Sequence, residues 1–181
     1  MKHTLKTTII IAAIIIGLAA ITAGVVQIIS PGIHYNPEAT LAFATAAQGF
    51  HDRMEPDLLD NVLLLAAEIA STPRDESSAV EASITQGILL VKGYSARFTM
   101  LVPTSDTLDL FSALKQEGSY VTSCYSKLYA AWSEKQMGDD SQSAQRLEEA
   151  REMHGRAVAL REQNRKDLER TIAAAREDLE P

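Results

Sequence analysis

Apolar residues recur at alternating intervals of three and four along most of this chain. Val80, Ile84, Gly87, Val91, Tyr94, Phe98 and Leu101 form one such series, and Phe111, Leu114, Gly118, Val121, Tyr125, Leu128 and Trp132 form the next. Leu58, Val62, Leu65 and Ile69 show the same spacing earlier. Leu147, Ala150, Ala157, Leu160, Leu168, Ile172 and Ala175 continue it later, with polar Asn164 in the series. A mean period of about 3.5 residues keeps one narrow seam on one side of a helix, as in left-handed bundle packing. No useful length alternates with period two, so the pattern predicts helices and no sheet.

Local punctuation sets the expected boundaries. In "NPEA", Asn36 suits an N-cap, Pro37 the first helical position and Glu38 the first turn. Pro56 lacks an N–H and opposes the carbonyl four residues earlier, so it should kink or interrupt this helix around Arg53–Asp57. Thr72 with Pro73, and Thr104 or Ser105 after Pro103, offer the next two starts. Gly138 suits a C-terminal stop, and Asp139 or Asp140 the last cap. Four helices are expected, over 37–70 (kinked), 73–101, 105–137 and 141–178. Short turns favour antiparallel neighbours, so the fold class is all-α, an up-down-up-down four-helix bundle. A stack of helical-repeat-like α-hairpins is the alternative, to which "GDDSQSAQRLEEA" lends one partial match.

The run from Thr7 to Ser30 breaks the amphipathic pattern, because it contains no charged residue. About 20 apolar residues span a hydrocarbon core of roughly 30 Å, and a soluble helix of that length almost always carries a charged stripe. A cleaved signal peptide is the rival reading, with "AAITAG" as the cut region, but its apolar part would be shorter. Residues 7–30 are therefore expected to be a single transmembrane signal-anchor helix in contact with membrane lipid. Residues 1–6 precede it, 31–36 link it, and 37–181 form the helical domain. Lys2, His3 and Lys6 lie before the run, and the first cation after it is Arg53. By the positive-inside rule the N-terminus is cytoplasmic and the domain lies outside.

Charge narrows the partners. Removing Lys2 and Lys6 from the 17 basic residues leaves 15 against 24 acidic ones, a poor balance for binding nucleic acid. Cys124 is the single cysteine, so no disulfide framework staples the domain. It reads as a small buried residue, with a reactive thiol or an intermolecular disulfide as the alternatives. Neither His51 nor His154 has the Glu three residues before it that di-iron bundles use. No nucleophile elbow, phosphate loop or dinucleotide fingerprint is present. No metal, cofactor or catalytic residue is expected. Arg146, Arg151, Arg156 and Arg161 spiral around the last helix and read as a solvated surface, supported by pairs such as Glu152–Arg156 and Glu162–Lys166.

Reversing the chain at Val102–Pro103 sets Gly87 opposite Gly118, Val80 opposite Tyr125, Ile84 opposite Val121, Val91 opposite Leu114 and Tyr94 opposite Phe111. Gly87, Tyr94, Gly118, Tyr125 and His154, near the kink at Pro56, form the expected region of close packing or ligand binding. The expected function is a membrane-anchored, extracytoplasmic binding, sensing or interaction module with a protein partner or a second copy of itself. Its layout is similar to the membrane-proximal four-helix bundles of chemoreceptor-like proteins. The alternatives are an enzyme assembled from distant carboxylates, a structural component in which Asn164 specifies assembly, and a secreted helical protein if the leader is cut.

Overall fold

Asn36 opens the first helix as its side chain implies: its Oδ1 accepts from Ala39 N at 3.1 Å. The computed structural model describes residues 35–74 and 78–180, and all regular structure among them is helical. Helix α1 covers Pro37–Met54 and α2 covers Asp60–Ser71, joined by a π-helical turn over Glu55–Leu59. The interruption expected around Arg53–Asp57 therefore takes the form of a wider turn instead of a break. A π turn is a known way to carry a helix past a residue that cannot donate its i→i−4 bond. At Thr72 the backbone becomes extended (φ −72°, ψ 129°), as the residue before a proline should.

Helix α3 covers Ser78–Phe98, α4 covers Leu108–Met137 and α5 covers Asp140–Glu177. Two expected boundaries are corrected. Thr72 and Pro73 do not open α3, and residues 99–101 have left it. Thr72 instead closes α2, because the ψ imposed by Pro73 is incompatible with a helix. The other two punctuation marks behave as read. Gly138 ends α4 in the left-handed region at φ 89°, and Asp139 accepts from Gln142 N at 2.9 Å to start α5. Thr104 and Thr107 form a reciprocal cap on the 3-10 turn Ser105–Thr107 that leads into α4.

Contacts at the two ends fix the direction of each helix. At one end Tyr35 Oη donates to Asp178 at 2.5 Å, and Thr40 Oγ1 donates to Asp106 at 2.8 Å. At the other end Lys135 Nζ donates to the last carbonyls of α2, those of Ile69 and Ala70, at 2.5 and 2.9 Å. Arg74 there pairs with Asp140 at 2.6 Å. Successive helices thus run antiparallel, with α1–α2 acting as the first of four rods. Each α5 pair foreseen in sequence forms, Arg156–Glu152 at 2.6 Å and Lys166–Glu162 at 3.2 Å.

The register of α3 differs from the expected one. Gly87 meets the ring of Tyr125, where Gly118 was expected. Phe111 stacks on Phe98 with centroids 5.2 Å apart, in place of Tyr94. The expected register assumed a tight reversal at Val102–Pro103. Residues 99–104 instead leave the helix before the 3-10 turn begins, so the reversal is wider than the one assumed.

Two apolar layers fill the interior. One gathers Phe43, Ala47, Phe111, Leu114, Leu168 and Ile172; the other is built around Leu58, Val62, Ile84, Val121, Tyr125 and Leu128. What separates them is polar. Among the described residues no helix is long and apolar enough to cross a membrane. The anchor expected over residues 7–30 lies outside the described residues.

Candidate functional site

Between the two apolar layers, α1, α4 and α5 each turn polar side chains inward. His51 is 2% exposed, Glu117 and Asn164 0%, and Arg161 7%. Asn164 Nδ2 donates to Glu117 Oε2 at 2.7 Å. His51 Nε2 lies 3.4 Å from that same oxygen, and Arg161 Nη1 lies 3.5 Å from Glu117 Oε1. A carboxylate is thus enclosed by a guanidinium, an imidazole and a carboxamide, with water excluded. Taking an isolated carboxylate out of water costs several kcal/mol, so its neighbours are what make this burial tolerable.

The π turn contributes to the same layer. Arg161 Nη1 also donates to the backbone carbonyl of His51 at 2.8 Å. That carbonyl stands five residues before Pro56, the i→i+5 position, where proline has no N–H to return. Asp52, next to His51 but largely exposed, brings its Oδ1 to 3.8 Å from His51 Nδ1. Both ring nitrogens of His51, Glu117 Oε1 and Asn164 Oδ1 make no hydrogen bond that satisfies distance and angle.

Sequence periodicity missed most of this layer. At its level the α4 seam is occupied by Glu117 and not by its neighbour Gly118. In α5 Arg161 points inward while Leu160 is only half-buried. The solvated reading of Arg161 is therefore corrected: the three-or-four step permits either of two adjacent residues, and the apolar one was the natural choice. Asn164 was the available signal. A polar seam residue invites a search for its partner one step earlier in α5 and at the same height on α4. Its carboxamide is turned inward to Glu117 of the same chain.

Of the expected close-packing region, Gly87 and Tyr125 meet each other, while Gly118 lies apart from them. A Cβ built on Gly87 would lie 1.9 Å from Tyr125 Cε1, whereas one on Gly118 meets nothing within 4 Å. Tyr125 is buried, and its hydroxyl donates to Leu58 O at 2.9 Å, within the π turn. Tyr94 donates a short hydrogen bond to Asp57. Burial, with the Asp57 carboxylate behind it, raises that phenol above its usual range. His154 is half-buried on α5 and takes no part in the polar layer.

Cys124 is fully buried, with Sγ 3.6 Å from Ala150 O. Burial pushes its thiol up to about 12, which keeps it protonated and unreactive at neutral pH. Under native conditions it should resist a thiol reagent such as dithiobis-nitrobenzoate, and should react only as denaturant unfolds the bundle. Full labelling of the native protein within minutes would contradict this burial.

Among the described residues no group of three or more His, Cys, Asp or Glu side chains is arranged to hold a metal ion. Comparison with protein-family models, with curated proteins and with solved structures returned no match.

Proposed function

We propose that this chain is a non-enzymatic helical module held on the outer face of a cell membrane by residues 7–30, where it binds or senses a protein partner. The observation that carries the reading is the uncharged run Thr7–Ser30, preceded by Lys2 and Lys6 and followed by an acidic helical domain. Two features of the domain support it. His51, Glu117, Arg161 and Cys124, which could otherwise serve in chemistry, are buried against one another or the core. Large apolar side chains meanwhile stand exposed on α2 and α3, including Leu63, Leu64 and Leu89. Scattered exposed leucines are ordinary, so their use has to be tested directly.

In its native membrane the full-length protein should stay in the pellet after an alkaline wash, and protease added outside should remove residues beyond Pro31. A mature chain starting near Ala23 or Gly24 would instead make it a secreted protein. A photo-crosslinker placed at Leu64 or Leu89 should yield one discrete protein adduct, and one at exposed Arg151 should not. No adduct from either leucine would sink the partner reading.

A further inference from the structure

The end of the bundle where the chain enters α1 is built from three segments. Tyr35 bonds Asp178 just past α5, and Thr40 reaches Thr104 at 3.2 Å and Asp106 in the α3–α4 connection. That connection carries Met100 and Val102, 80% and 81% exposed, the two most exposed large apolar side chains among the described residues. Their neighbours Phe98 and Leu101 pack inward against the Phe43–Phe111 layer. The connection is braced. Met100 N bonds Arg97 O at 3.1 Å, Leu101 N bonds Phe98 O at 3.1 Å, and the Thr104–Thr107 cap closes it. Two large apolar groups thus stand exposed on a hydrogen-bonded turn while their neighbours Phe98 and Leu101 pack inward.

We propose that this end rests on the lipid surface, with Met100 and Val102 inserted at the level of the headgroups. The inference rests on the anchor reading of residues 7–30. Residues 31–34 alone separate that run from Tyr35, and four extended residues reach at most about 14 Å. A bilayer's interfacial zone adds roughly 5–8 Å beyond each side of its hydrocarbon core, so the entry to α1 at Tyr35 is tethered within reach of the headgroups. Tyr35 and Leu179 flank the connection and are about half exposed. A tyrosine with a polar tip and an apolar body suits that depth. Glu38, Asp106 and Asp178 at the same end are exposed, against the exposed cations Arg97 and Arg176, so this end carries no net positive charge. Attraction to anionic lipid is therefore not the source of the contact. Apolar insertion into a zwitterionic, phosphatidylcholine-type surface is.

The test uses the full chain reconstituted into phosphatidylcholine vesicles. Val102→Trp and Met100→Trp report this end, while Met137→Trp, 66% exposed at the opposite end, is the control. Signal from the native Trp132 is subtracted using the unmodified protein. Tryptophan at 102 or 100 should emit at shorter wavelength than at 137, and lipids carrying a doxyl quencher should diminish it selectively. If the protein floats with the vesicles after an alkaline wash and position 102 is quenched no more than 137, the docking inference fails while the anchor stands. If the protein does not float, the anchor reading fails and takes this inference with it.

Discussion

Replacing Glu117 with alanine should cost the fold about 3–5 kcal/mol, the usual penalty for removing one member of a buried charged group. Glu117 is the hub of its layer: Asn164 donates to it, and His51 and Arg161 face its two oxygens. Without the carboxylate, Arg161 loses the acid opposite its Nη1, Asn164 loses its acceptor, and a void opens between two apolar layers. Denaturant unfolding followed through the buried Trp132 would measure the loss. Glu117→Gln keeps the shape and one acceptor, so it should lose less than Glu117→Ala. Replacing the layer together, as His51→Leu, Glu117→Leu, Arg161→Met and Asn164→Leu, should recover most of the loss, because apolar substitutes escape the desolvation cost. A change below about 1 kcal/mol in Glu117→Ala, no more than an ordinary exposed ion pair contributes, would mean that the layer is not sealed from water.

Gly87→Ala and Gly118→Ala should move stability in opposite directions. Both are mid-helix glycines, and each should gain up to about 1 kcal/mol from the higher helix propensity of alanine. At Gly118 nothing lies within 4 Å of the new methyl, so that gain should appear as a higher unfolding midpoint. At Gly87 the methyl would sit 1.9 Å from the Tyr125 ring. The ring cannot swing aside freely, because it is buried and its hydroxyl is held to Leu58 O at 2.9 Å. Overpacking of this kind typically costs about 1–3 kcal/mol, occasionally more, so Gly87→Ala should be net destabilising. In a Tyr125→Ala background the same substitution should become neutral or favourable, and that double-mutant comparison isolates the clash. Equal effects at the two glycines would contradict the register in which Gly87 meets Tyr125.

The sequence by itself determined the features that depend on residues within one helical turn of each other. Asn36, Thr104, Gly138 and Asp139 mark helix ends through side chains or backbone conformations that act locally. Pro56 likewise imposes its disturbance through a missing N–H, although the choice of a π turn over a break belongs to the surrounding packing. The helical class followed from the three-four spacing, which states a direction for each segment. What that spacing leaves open is which of two adjacent residues fills a seam position, since neighbours differ by only about 100° around a helix. At Glu117 versus Gly118 and at Arg161 versus Leu160 polarity argued for the wrong member. A charged residue enters a core only when partners arrive with it, and here they come from α1, α4 and α5, far apart in sequence. The same holds for the register of α3. A connection of several non-helical residues is compatible with more than one register, and the fit of the Tyr125 ring against Gly87, with its hydroxyl on Leu58, is made between helices and exists only once they are packed.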